Sequence, residues 1–489
     1  MNFAEGARRD AMTRFLDLLR AELPARAVVT DPAEIAPWLV DWRGRYRGRA
    51  AALVEPATTA EVAAVVRAAA ATRTPLVPQG GNTGMVGGAT PDEGGTSAIL
   101  SLRRLNRIRS VDAEANIAVA EAGVVLQTLN DAALERRRRF PLTLGARGSA
   151  TIGGLLSTNA GGTQVLRFGT MRGLVAGVEA VLADGSVHHG LAALPKDNRG
   201  YSLDQLLIGA EGTLGVVTAA ALKLAPAVAG RGVAWVGLRS PEAAMALLRR
   251  CQGRTDAVES FEILPAESLQ AVLAHLPNTR PPLGDEHSWH VLIETTAPDD
   301  EGEAPAALLE RLLAEALEAG MADNAVLAAS EAQADAFWTI RDSISAAERA
   351  RGPATQHDVS VPVPAMPRFM VDAAAACERR FPGVHASGFG HLGDGNIHFH
   401  VRAPAGVDPA RWYLEDAPVV TRFVHDLVTE AGGSISAEHG IGQLKLGELS
   451  RLLPPARAHA MRAIKAALDP LGIMNPGKLV PLAPGGHAP

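Results

Sequence analysis

Residues 390–400 read GHLGDGNIHFH, setting His391, His398 and His400 beside Asp394 and Asn396 in a chain with 14 histidines among 489 residues. Folded as a strand, NIHFHV puts Asn396, His398 and His400 on one face and Ile397, Phe399 and Val401 on the other, because side chains alternate along extended backbone. His391 stands seven residues before His398, and the glycines of LGDGN let the chain bend back so that both imidazoles reach one ion. Two imidazoles suit a borderline divalent metal, and a carboxylate commonly completes an open catalytic site. Asp394 inside the loop and Glu438 in SAEHG are the carboxylate candidates, and spacing alone does not choose between them. Taken by itself, a histidine pair at this spacing is more often a hydrogen-bonded surface or interface pair than a metal site.

A second kind of chemistry is written in glycine. PQGGNTGMVGG at 78–88 follows the strand-like TPLV. Such a loop can turn its backbone N–H groups inward and hold a pyrophosphate without a lysine. It lacks the G-K-[ST] of a P-loop and the Rossmann glycine spacing, so alone it is equally well a flexible loop or hairpin. GARGSATIGGLLSTNAGG at 145–162 and IGAEGTLGVVT at 208–218 also allow close backbone approach. Three such stretches together point to one large, flat, polyphosphate-bearing ligand.

These groups need elements to position them. Residues 12–23 repeat apolar side chains at helical spacing, and TTAEVAAVV at 58 opens a second helix behind an N-cap threonine. From 75 to 224, short β-branched runs alternate with glycine clusters, the texture of a glycine-punctuated α+β domain. LAPAVAGRG at 224–232 ends it, PDDEGEAP at 298–305 reads as an acidic loop between strand and helix, and further helices are expected near 417–431 and 455–469.

Composition limits the functions open to the chain. Its length exceeds the roughly 250–300 residues at which single cores stop growing, so two or three domains are expected. A net charge of −6 supplies no field for nucleic acid, and the run Arg136–Arg139 reads as a solvated helix end. Two distant cysteines, Cys251 and Cys377, exclude a disulfide framework or cysteine zinc knuckle, leaving nitrogen and oxygen ligands for any metal. The N-terminal stretch has neither a signal-peptide nor a transit-peptide pattern, and no 18-residue apolar run occurs, so the expectation is a cytoplasmic, soluble protein, at most peripheral at a membrane.

PQGGNTG, GSATIGGLLSTNAGG, RFGTMRGLVAGVEAVLADG and KDNRGYSLDQLLIGAEGTLGVVTAAALKL together resemble the FAD-binding domain of the vanillyl-alcohol-oxidase-like flavoproteins. Within that superfamily the closest resemblance is to the D-2-hydroxyacid dehydrogenase branch, which includes D-2-hydroxyglutarate, D-lactate and glycolate dehydrogenases. The resemblance runs from about residue 40 to about 480. It implies an α+β fold, with a two-subdomain FAD-binding domain of the VAO/PCMH type over 1–228, a substrate-binding cap domain with an antiparallel sheet over 229–425, and a small helical C-terminal unit over 426–489.

By the same resemblance Pro78, Gln79, Gly80, Gly81, Asn82, Thr83, Gly84 and Met85 would cradle the FAD pyrophosphate. Gly148, Ser149, Gly153, Gly154, Asn159, Gly161 and Gly162 would line the cofactor. Glu211, Gly212, Gly215 and Val217 would hold its adenine end, and Asn475 in NPGK would return to the flavin. The histidine that tethers FAD covalently in some relatives is missing from the first loop, so non-covalent FAD is expected. GHLGDGNIH and SAEHGIG match the branch's motifs for a divalent ion held by His391, His398 and Glu438, zinc first, with manganese, cobalt or iron as alternatives. His439 would be the general base and Asn396 would touch the substrate, a small D-2-hydroxy acid. His400 would be supporting or structural, and Asp394 would shape the loop or bond a ligand histidine.

A hydroxy acid brings a carboxylate. Arg341 in FWTIRDSISAAERARG stands where the family places its carboxylate-binding arginine, with Ser345 four residues on. The sequence departs from the pattern at Gln356, where many relatives have lysine, which weakens the case for a dicarboxylate. D-2-hydroxyglutarate remains the leading substrate, with D-lactate and other D-2-hydroxy monoacids, glycolate included, as alternatives. No motif designates the electron acceptor, so an electron-transfer flavoprotein, a quinone and a cytochrome all stand, and relatives often pair as homodimers. A zinc hydrolase would leave the glycine segments without purpose, and a non-catalytic flavin subunit would not keep the metal and base residues intact.

Overall fold

The computed structural model describes residues 3–299 and 301–480, and within these the chain divides into two units. One unit takes the chain up to Gly161, Thr170–Pro226 and the chain from His439 onward; the other takes Gly162–Gly169 and Ala227–Glu438.

In the first unit, helix Thr59–Thr72 is capped by Thr58, whose hydroxyl accepts the Glu61 N–H at 3.1 Å. Its alanine and valine stripe buries Val62, Val65, Val66 and Ala69 in one core with Leu76, Ala98 and Leu100. The helix is thus the crossover between strands Ala52–Val54 and Leu76–Gln79, which lie parallel on either side of Ala98–Ser101, with Val28–Val29 closing the edge beyond Ala52–Val54. Leu76 faces the far end of the chain, its N–H donating to the Ile473 carbonyl at 2.8 Å while its own carbonyl accepts the Asn475 N–H at 2.9 Å. A five-stranded antiparallel sheet follows, in the order Ile108–Asp112, Ile117–Glu121, Val216–Lys223, Val175–Val181, Val187–His189. At its centre the small residues VVTAAAL are all buried, and Glu121 and Glu179 on the flanking strands are joined through Arg109.

The second unit is a seven-stranded antiparallel sheet in the order Asn324–Leu327, Gly230–Leu238, Trp289–Ala297, Val258–Pro265, His385–His391, Asn396–Arg402, Ala354–Ser360. Helices cover both faces, so both sets of alternating side chains are buried. Phe261, Ile263, Ile397, Phe399 and Val401 pack with helices Pro241–Gln252, Pro305–Glu318, Met366–Arg380 and Ala417–Glu430. Trp235, Leu264, Leu292 and Phe389 pack with Ala266–His275 and Glu331–Ala350.

Several expectations meet a different structure. The stretch 426–489 is shared: helix Ala417–Glu430 and the bridge Ser360–Ser434 belong to the sheet unit, while helices Leu446–Leu452 and Pro455–Leu468 belong to the first unit, where Lys465 donates to the Thr213 and Met474 carbonyls. Residues 162–169 leave the glycine-rich unit because Ser260 donates to the Thr163 carbonyl and Gln164 to Glu259. The arginine run is only partly a solvated helix end. Helix Leu126–Leu134 stops before it, and Arg138–Arg139 forms a short strand against Ala225–Pro226. The C-terminal LAPGGHAP and Asp300 of the acidic loop lie outside the described residues. Among the described residues no helix is long and apolar enough to cross a membrane.

Candidate active site

The histidine cluster is built by register. Strand Val258–Pro265 sets Glu262 opposite His391, the turn after His391 sets Asn396 opposite it, and Ala354–Ser360 sets Asp358 opposite His398. Because strand side chains alternate, Glu262, His391, Asn396, His398 and Asp358 share the sheet face that also carries helix Glu331–Ala350 and its Arg341. The expected alternation of NIHFHV is observed, although the polar face is itself buried apart from a half-buried His398.

Donor atoms of His391, His398 and Glu438 all lie within 4.8 Å of one another, and His391 Nε2 is 3.8 Å from Glu438 Oε1. His391 Nδ1 is 2.7 Å from Glu262 Oε1, which makes Nδ1 the proton-bearing nitrogen and leaves Nε2 as the one that could face a cation. Two imidazoles and a carboxylate, with one imidazole oriented by a second carboxylate, fit a divalent cation. Burial alone would depress the His391 pKa, but the Glu262 carboxylate outweighs it and holds His391 up at about 9. Burial pushes Glu438 up to about 7.

Asp358 fixes Glu438 and Asn396. Its Oδ2 accepts the Glu438 N–H at 2.9 Å, and its Oδ1 accepts the Asn396 side-chain amide at 3.0 Å. Asn396 Nδ2 also donates to the Val359 carbonyl, while Asn396 Oδ1 is buried with no partner among the described residues. Asp394 is not among the converging donors; it accepts the Asn396 N–H at 2.9 Å and so shapes the turn. His400 sits edge-on to Phe389 and opposite Gln356 in register, and is not one of the converging donors. Arg341 is buried, with Nε donating to Glu262 Oε2 at 2.7 Å and Nη2 at 2.6 Å from the same oxygen. Ser345 follows one turn later on its helix, half-buried.

The glycine segments form a groove inside the first unit. Pro78, Gln79, Gly80, Gly81, Asn82, Thr83, Gly84, Gly153, Gly154, Glu211 and Gly212 line it, and His439 borders it. Its walls are bare backbone by necessity: a Cβ on Gly81 would stand 2.0 Å from the Ser149 carbonyl, and one on Gly80 would stand 2.2 Å from Thr151 Oγ1. Thr151 Oγ1 itself is buried without a partner among the described residues, as an oxygen awaiting a ligand would be. A flat cofactor with a diphosphate fits these walls.

Not every expected cofactor residue lines the groove. Met85, Gly148, Ser149, Gly161, Gly215 and Val217 do not line it, and Gly162 belongs to the other unit. Asn159 accepts the Arg172 N–H at 2.9 Å, and Gln79 donates to the Trp38 and Ala89 carbonyls, closing the loop. Asn475 donates to the carbonyls of Gly88 and Glu211. Sequence reasoning missed Thr151, Ser157 and Thr158 in the groove, and Glu262 and Asp358 behind the histidines. The available signal for Glu262 was a second glutamate, after Glu259, inside the strand run VESFEILP.

Comparison with known proteins agrees with both halves. Residues 50–190 match the family described as FAD binding domain, and residues 229–479 match FAD linked oxidases, C-terminal domain. The mitochondrial D-2-hydroxyglutarate dehydrogenase of Bos taurus is 38% identical over 472 residues, covering 95% of this chain and 83% of that protein. The D-2-hydroxyglutarate dehydrogenase of Xanthomonas citri pv. viticola is 36% identical over 467 residues, covering 95% of this chain and 96% of that one. The solved structure of p-cresol methylhydroxylase with substrate bound superposes with a TM-score of 0.73 at 16% identity, over 97% of this chain and 96% of that one, which establishes the shared α+β flavoprotein fold. With matches that together span both units, the chain belongs to the FAD-linked oxidases, in the family that contains the D-2-hydroxyglutarate dehydrogenases, and is an FAD-dependent oxidoreductase.

Proposed function

We propose that this oxidoreductase converts a D-2-hydroxy acid, D-2-hydroxyglutarate foremost, to the 2-oxo acid, with a divalent cation held by His391, His398 and Glu438. The observation that carries the reading is the convergence of those donors within 4.8 Å, on the sheet face that also presents a buried arginine. The relatives named D-2-hydroxyglutarate dehydrogenase support the substrate. When bound, FAD supplies a two-electron acceptor for the hydride leaving C2, and a cation such as zinc supplies a positive field that acidifies the C2 hydroxyl.

The remaining work falls to side chains. Arg341 takes the substrate carboxylate, its guanidinium held from behind by Glu262. Asn396 offers its unpartnered Oδ1 to the hydroxyl side, its amide nitrogen already fixed by Asp358 and Val359. His439, next to Glu438 in the chain and bordering the flavin groove, takes the hydroxyl proton, a task suited to an imidazole. Non-covalent FAD fits a groove whose first loop carries no histidine. Gln356, a neutral amide where a second carboxylate would be met by lysine, favours a monoacid such as D-lactate as the second reading.

The test is anaerobic bleaching of the bound flavin by a panel of D- and L-2-hydroxy acids, with and without EDTA. Bleaching by D-acids that chelation abolishes is expected. Bleaching by L-acids only, or indifference to chelation, overturns the reading.

A further inference from the structure

Glu262 lies in strand Val258–Pro265, every residue of which is buried, and its side chain is 1% exposed. An ionised carboxylate so placed is tolerated only when it is fully paired and hydrogen-bonded. Its two oxygens go to two different partners. Oε1 meets His391 Nδ1 at 2.7 Å, and Oε2 meets Arg341 at 2.7 Å through Nε and 2.6 Å at Nη2. The first partner is a proposed metal ligand and the second is the proposed substrate clamp. From these contacts we propose that Glu262 is a positioning residue that sets both at once: one oxygen fixes the His391 tautomer that ligates, and the other aims the Arg341 guanidinium at the substrate carboxylate. The proposal rests on the reading in the preceding section.

The neighbouring Glu259 shows that a buried glutamate on this strand does not by itself imply such a role. It is equally buried, yet its oxygens accept from Gln164 at 2.6 Å and Thr296 at 2.7 Å, with Arg167 3.5 Å away, none of them in the proposed machinery. Loss of Glu259 should therefore cost stability alone.

A glutamine at 262 cannot replace the carboxylate, because an amide has one accepting oxygen and one donating nitrogen while both partners are donors. A methionine of similar volume removes both acceptors. The experiment uses the full-length, FAD-loaded protein stripped of metal and titrated with Zn2+ against a chelating dye, followed by kinetics with D-2-hydroxyglutarate at saturating Zn2+. Glu262→Met should weaken Zn2+ binding by about tenfold or more, as loss of such an outer partner commonly does, and raise KM by about tenfold. Glu259→Gln should lower the melting temperature while leaving both quantities near the parent's.

A folded Glu262→Met protein in which either quantity stays within twofold of the parent overturns the two-sided role. If that variant does not fold, Glu262→Gln is read instead. It can satisfy one partner at most, so both quantities staying within twofold of the parent overturns the proposal. His391→Ala separates the two levels. Should it keep its Zn2+ binding, the metal reading fails; should it lose Zn2+ while the Glu262 variants do not, only the role of Glu262 fails.

Discussion

Asn475 Nδ2 donates to the Glu211 carbonyl at 2.7 Å across 264 residues of chain, and both residues adopt positive φ, +42° and +51°. The same nitrogen donates to the Gly88 carbonyl at 2.9 Å, so one side chain pins the first and third glycine segments together. Asn475→Ala removes both bonds and leaves a buried and a half-buried carbonyl short of a donor, at about 1–3 kcal/mol for the buried one. A fall in melting temperature of several degrees and faster FAD loss on gel filtration are expected. FAD retention equal to the parent's would show that the pin does not organise the groove.

Gly81 meets the Ser149 carbonyl so closely that an added Cβ would stand 2.0 Å from a backbone oxygen, which has no rotamer to escape through. Gly81→Ala should cost on the order of 1–3 kcal/mol or more and yield protein depleted in flavin. Gly145→Ala is the control, since nothing lies within 4 Å of its Cβ position. Absorbance at the flavin bands relative to the protein band reads the difference.

Acid should unlock the five-stranded sheet at one carboxylate. Burial would raise the Glu179 pKa, but hydrogen bonds from Arg109, Thr59 and Thr218, with the Arg109 charge, pull it down to about 2. A carboxyl depressed in the folded state stabilises above its unfolded pKa of 4.5, and that stability drains away as pH falls from there toward 2. Glu179→Gln should therefore melt below the parent at pH 6, and the gap should close between pH 4.5 and 2. A gap that does not change with pH would assign the stabilisation to shape rather than charge.

Arg341→Met should lower kcat/KM for the 2-hydroxy acid by about 100-fold, the size of a lost charge-assisted contact. Gln356 is half-buried and faces the strand next to the histidines, opposite His400. Gln356→Lys should raise the ratio of kcat/KM for D-2-hydroxyglutarate over D-lactate. An unchanged ratio would place the far carboxylate's recognition elsewhere.

Local pattern carried much of this molecule. Thr58 announced its helix, the alternation of NIHFHV appeared as strand Asn396–Arg402, and the helices expected near 417–431 and 455–469 run Ala417–Glu430 and Pro455–Leu468. Pairing across the sheet was out of reach, because Glu262 and His391 are neighbours only once strand order and register are set, and neither leaves a trace in local spacing. The excursion of residues 162–169 into the other unit was hidden for the same reason, since eight residues held by Ser260 and Glu259 show no composition of their own.

The pairing of Leu76 with Ile473 and Asn475 also orders events in time. During synthesis Leu76 leaves the ribosome about four hundred residues before its partners, and domains tend to fold as their sequences emerge. Every segment of the seven-stranded unit has been made by Glu438, while the FAD-binding unit, begun first, keeps the Leu76 edge of its parallel sheet open until Asn475 appears. Flavin capture is therefore expected late in the life of this chain: a nascent protein stalled short of residue 475 should carry the histidine cluster without a finished place for its flavin.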